Sequence, residues 1–91
     1  MKDREFNVLF GKKLRLLRMS KGLSQEELGF LSGMHRTYIG QIERAEKNIT
    51  IANAYRLSKI LEVDIRELFD FSDVYKENSE KKSKDTKELK K

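Results

Sequence analysis

The 91-residue sequence contains no cysteine, no proline and no tryptophan, and only one histidine. Without cysteine there can be neither a disulfide framework nor a thiolate metal site, and a cytoplasmic location is expected. The single histidine, His35, has no companion residues at metal-ligand spacing, so no metal and no cofactor are expected. The lack of proline leaves helices free to run without interruption. No apolar run is long enough for a signal peptide or a bilayer span, so no membrane role is expected. Paired carboxylates, a nucleophile–histidine arrangement and a phosphate-binding glycine loop are also missing. Gly11-Lys12 belongs to no phosphate motif, and an enzyme has no support in the sequence.

The residues present are 37% hydrophobic and 38% charged, a balance that suits one small helical domain. The net charge is +5, from 20 lysine and arginine against 15 acidic residues. From Gly11 to Gly22 there are Lys12, Lys13, Arg15, Arg18 and Lys21 with no acid among them. That block suits a phosphate-facing surface, and a solvated helix face explains it equally well.

Phe6, Phe10, Leu14 and Leu17 recur at helical spacing and predict a first helix. It begins between Asp3 and Asn7 and stops near Ser20, before Lys21-Gly22. Ser24 with Glu27 three residues on is a capping-box pattern that opens a second helix. Leu28 faces inward from it, and Gly29 and Ser32 suit close contact with a neighbouring helix. Gly33 supplies a turn, and a third helix runs from about Arg36 to Arg44 with Ile39 and Ile42 inward. Thr50 caps a fourth helix whose apolar face is Ile51, Ala54, Leu57 and Leu61. Asp64 and Glu67 form a second capping-box pattern, opening a short fifth helix with Ile65, Leu68 and Phe69.

The expected fold is therefore all-α, a compact five-helix domain over residues 1–74. After Val74 the composition changes. Residues 76–91 hold seven lysines, four acidic residues and one aliphatic, Leu89. Such a segment cannot bury enough apolar surface to offset its ordering entropy, so residues 75–91 are expected to be a solvated, flexible tail.

Residues 24–43 thus read as a helix–turn–helix, in which the second helix enters the major groove of DNA. Side chains near the start of that helix are placed to reach base edges. Arg36 can donate two hydrogen bonds to guanine, with a phosphate clamp as its plainer role. Thr37 offers a hydroxyl and a methyl, and Gln41, one turn on, can pair with adenine, although either can simply be solvated. Tyr38, Lys47 and Asn48 flank the helix as candidate phosphate contacts, Tyr38 being equally suited to partial burial. His35 suits a cap or a phosphate-adjacent position.

The string Phe10-Gly11-Lys12-Lys13-Leu14-Arg15, with Gly22-Leu23-Ser24-Gln25-Glu26-Glu27-Leu28, Ser32-Gly33 and Tyr38-Ile39-x-Gln41-Ile42-Glu43-Arg44, resembles the Cro/repressor-type, or XRE-like, helix–turn–helix family. The likeness spans roughly Phe10 to Phe69. His35-Arg36-Thr37-Tyr38-Ile39 and Glu46-Lys47-Asn48-Ile49-Thr50 look most like the small controller proteins of restriction–modification systems. The resemblance implies a five-helix fold and a homodimer on a palindromic operator of double-stranded DNA. It implies base reading by Arg36, Thr37 and Gln41, phosphate binding by Gln25, and an ion pair between Arg18 and Glu43 beneath the DNA-facing surface. Three departures stand out: Ala45 where glycine is usual, Gly29 where alanine is common, and His35 in place of the usual cap.

A single such domain reads too few base pairs to select a site, which is a reason to expect two-fold repetition with half-sites about 34–36 Å apart. Ile65, Leu68, Phe69 and Phe71 are the candidate dimer interface, shared with the monomer core. Phe30 and Leu31 are candidates either for an interface or for packing on the first helix. RNA polymerase is a further candidate partner. An antitoxin using the tail, a phage-type repressor and a helical interaction module that does not read DNA are the competing functions.

Overall fold

The computed structural model describes residues 3–74. Among them are five helices, α1 (Asp3–Ser20), α2 (Gln25–Ser32), α3 (Arg36–Glu43), α4 (Ile51–Leu61) and α5 (Ile65–Leu68), and no strand. The expected tail, 75–91, lies outside the described residues.

Each helix start is explained locally. Ser24 Oγ accepts the Glu27 amide at 2.9 Å while Glu27 Oε1 accepts the Ser24 amide at 2.8 Å, a complete capping box. The Ser24 backbone N–H is also the main reason the Glu27 carboxyl is held below its ordinary value. Thr50 Oγ1 accepts the Asn53 amide to open α4. Gly33, at φ 75°, takes the left-handed conformation that lets the chain reverse within three residues. The second expected capping box is only half made. Asp64 Oδ1 accepts the Arg66 amide, but the Glu67 carboxylate is drawn instead to Lys13 Nζ, 2.6 Å away.

Phe10 and Leu14 of α1, Leu28, Ile39, Ile42, the α4 face Ala54, Leu57 and Leu61, and Leu68 of α5 meet in one core. Helix α3 packs across α1 and α2, α4 lies on α2 and α5, and α1 closes against α5. The approach of α3 to α1 is tight because Gly11 has no side chain. A Cβ there would lie 2.6 Å from the Glu43 carbonyl oxygen and 2.7 Å from that of Ile42.

One expected core position turns outward. Ile51, in the first turn of α4, is 79% exposed. Ser58 takes a buried place on that face instead, its hydroxyl donating to the Tyr55 carbonyl at 2.6 Å. Phe30 is 86% exposed and Leu31 50%.

Candidate nucleic-acid interface

The α2–turn–α3 unit stands on a polar network. Arg18 Nε and Nη2 donate to the two Glu43 carboxylate oxygens at 2.7 and 3.0 Å, and Nη1 donates to the Leu23 carbonyl. The hydrogen bond with Glu43 holds the Arg18 guanidinium above its ordinary value. Glu43 exposes only 3% of its side chain. The ion pair implied by the resemblance is therefore present, and it ties the end of α3 to α1. Gln25 joins it, with Nε2 donating to Glu43 Oε1 at 3.0 Å. The Gln25 side chain, implied to bind phosphate, is thus engaged inside the protein. The Gln25 and Glu26 amides point out of the start of α2, as helix geometry requires, while the Glu27 amide is taken by Ser24 Oγ.

At the other end of α3, His35 is the N-cap. Its Nδ1 accepts the Thr37 amide at 3.0 Å, which requires an unprotonated ring nitrogen. Arg36 and Thr37 follow, both exposed, and Gln41 is half-exposed one turn later. Thr37 and Gln41 therefore share one face of a helix fixed at both ends, and Arg36 is exposed at its start.

The flanking candidates are also placed by hydrogen bonds. Tyr38 is half-buried against the core, and its hydroxyl oxygen accepts from Asn53 Nδ2 at 3.1 Å. Asn48 Oδ1 accepts from Asn7 Nδ2 at 2.6 Å, leaving the Asn48 side-chain Nδ2 as its donor. Lys47 is exposed in the loop after α3.

The basic block of α1 behaves differently from a phosphate-facing surface. Lys13 is buried and binds Glu67 at 2.6 Å and Asp73 at 2.8 Å, Arg18 is held by Glu43, and Lys21 lies 3.7 Å from Glu62. Only Lys12 and Arg15 of that block are exposed without such a partner among the described residues. A charge count along the chain cannot see acids that arrive from α3, from the end of α4, and from α5 and the residues after it.

Sequence reading missed Arg44. It lies one turn after Gly40, and its Nη1 would be 2.9 Å from a Cβ on that glycine, so its guanidinium lies back along α3. It is paired with Glu46 at 2.8 Å. The signal was available in the spacing of Gly40 and Arg44, since residues four apart share a face. Glu26 was missed as well; its carboxylate stands 3.4 Å from Arg36 Nη1.

The candidate dimer residues divide. Leu68 is fully buried in the monomer core and has no surface to offer a partner, which corrects its assignment to an interface. Phe71 packs edge-on against Phe6, with ring centres 5.9 Å apart, and Ile65 is half-buried. Phe69 stacks near Phe6 and Phe10 yet keeps 39% of its surface exposed.

Residues 14–68 match the family model described as helix-turn-helix. The chain belongs to the XRE-like helix–turn–helix family. It is a family of DNA-binding transcriptional regulators and not of enzymes. Within it, control protein C.BamHI of Bacillus amyloliquefaciens is 44% identical over 68 residues, which are 74% of this chain and 84% of that protein. The restriction-modification controller protein C.AhdI from Aeromonas hydrophila has a solved structure with a TM-score of 0.67 and 48% identity, over 68% of this chain and 94% of that one. SinR, the master regulator for biofilm formation, solved in complex with DNA, has a TM-score of 0.64 and 31% identity, over 67% of this chain and 98% of that one. Among the described residues no three His, Cys, Asp or Glu side chains are grouped to hold a metal, and no helix is long and apolar enough to cross a membrane.

Proposed function

We propose that this protein is the controller of a restriction–modification system, a sequence-specific regulator that binds a palindromic operator as a homodimer in the cytoplasm. The observation that carries the proposal is the outward face of α3. Arg36, Thr37 and Gln41 are presented together on a helix held by the His35 cap at one end and by Arg18–Glu43 at the other. Rigid presentation is what base readout requires, because bidentate pairing tolerates little displacement. Tyr38, Lys47, Asn48 and the amides at Gln25 supply the flanking phosphate contacts. The likeness to C.BamHI and C.AhdI supports the controller role.

The homodimer is supported by a contiguous apolar surface. Ile51 and Phe69 are exposed and border a groove with the half-buried Phe6 and Ile49, and Tyr55 is exposed one turn along α4 from Ile51. This surface replaces Leu68 as the face available to a second copy. RNA polymerase is the natural further partner of such a regulator.

A footprint on the DNA upstream of the protein's own gene tests the proposal. A two-fold symmetric site with half-sites about 34–36 Å apart is expected. Affinity should fall steeply with salt as counterions are displaced. Binding indifferent to DNA sequence would overturn the base-reading roles.

A further inference from the structure

Three of the acidic side chains around the helix–turn–helix differ in what they do. Glu27 closes the α2 capping box, and Glu43 binds Arg18 and Gln25. Glu26 caps nothing and supports no core contact. It is 72% exposed, at the N-terminal end of α2 where an approaching phosphate would be attracted. A carboxylate in that first turn favours the helix dipole, and it also repels an approaching phosphate.

Its only ionic contact among the described residues is Arg36, with Oε1 3.4 Å from Nη1, and Arg36 itself is 63% exposed. The backbone fixes that reach. Glu26 and Gly29 are three residues apart on one face of α2. The bare Cα of Gly29 sits against the start of α3, where a Cβ would be 3.1 Å from the Arg36 amide nitrogen and 2.5 Å from the Met34 carbonyl oxygen. The start of α3 is thereby pressed against the middle of α2, and Glu26, one turn earlier on that face, has its carboxylate beside the Arg36 guanidinium.

We propose that Glu26 is a specificity-determining positioning residue: it holds Arg36 in the orientation for guanine and keeps it from swinging onto phosphate. This rests on the base-reading role given to Arg36. A guanidinium has five N–H donors in a planar fork. One edge occupied by Glu26 leaves another to meet guanine O6 and N7 side by side. Without the carboxylate, a long arginine has many rotamers and phosphates within reach, and a phosphate contact carries no sequence information. Glu26 therefore exchanges general affinity for discrimination.

The test is selection of binding sites from a randomised DNA duplex pool, run with the wild type, Glu26→Gln, Arg36→Ala and the double variant. Affinity for a non-cognate duplex and the melting temperature are measured in parallel. The wild type should select a guanine in each half-site, and Arg36→Ala should lose that preference. Glu26→Gln should melt like the wild type and bind the non-cognate duplex several-fold more tightly. Its preference for the same guanine should fall about tenfold, the order of one good bidentate pair. In the double variant the glutamine should change that preference no further. If Glu26→Gln keeps the full preference while Arg36→Ala loses it, the role of Glu26 is overturned and the base reading stands. If Arg36→Ala keeps it, the base reading itself is overturned.

Discussion

Glu43, in the last turn of α3, receives Arg18 of α1 with both carboxylate oxygens, at 2.7 and 3.0 Å. The same carboxylate also accepts Gln25, so one side chain of α3 ties that helix to both α1 and α2. Removing it leaves a guanidinium nine-tenths buried with only the Leu23 carbonyl as partner. Glu43→Ala should therefore cost about 3–5 kcal/mol of folding stability. Arg36→Ala, at an exposed site, should leave stability unchanged and weaken operator binding by about 1–3 kcal/mol. Thermal melts alongside gel shifts separate the two, and an unchanged melting temperature for Glu43→Ala would sink the structural role.

Helix propensity and packing give opposite expectations at Gly29. Alanine is intrinsically better in a helix by about 1 kcal/mol. Here its Cβ would press on the Met34 carbonyl from 2.5 Å, against backbone that can yield only by opening the turn. Overpacking of this kind costs about 1–3 kcal/mol, so Gly29→Ala should destabilise the domain. Chemical denaturation would show it as an earlier midpoint; a later one would mean that propensity prevails.

Ala45 holds φ 63°, in the loop directly after α3. A Cβ in the left-handed region costs about 1–2 kcal/mol, part of which glycine returns through its looser unfolded state. Ala45→Gly should accordingly raise stability by up to about 1 kcal/mol, read as a higher melting temperature with operator affinity retained.

Lys13 gives a pH dependence. Burial alone pulls its ammonium down, but hydrogen bonds to Asp73 and Glu67 together outweigh that and leave it above the ordinary lysine value of 10.5. A raised value in the folded state means the stabilisation is fully present below 10.5 and is lost as pH climbs through the raised value. Lys13→Met should cost about 1–3 kcal/mol at neutral pH, the range for charge-assisted hydrogen bonds. The gap in melting temperature between wild type and variant should then narrow as pH rises beyond 10.5 and through the raised value. A gap that is constant with pH would show that packing, not charge, is what Lys13 contributes.

The order and ends of the helices were legible in the sequence because their causes lie within three or four residues. Ser24 and Glu27 cap one another, Gly33 turns the chain, and Phe10, Leu14, Ile39 and Ile42 mark inward faces by spacing alone. The outward positions of Arg36 and Thr37 follow from the same periodicity. The tertiary structure decided which charges meet. Lys13 lies 54 and 60 residues from its two acids, and nothing local distinguished it from the exposed Lys12. It decided equally that Ile51 faces outward, that Leu68 is wholly inside, that Gln25 turns to Glu43, and that Glu26 stands beside Arg36. Local hydrogen bonds and periodicity follow the order of residues along the chain. The pairing of distant charges and the edge of a core are set by how the helices pack.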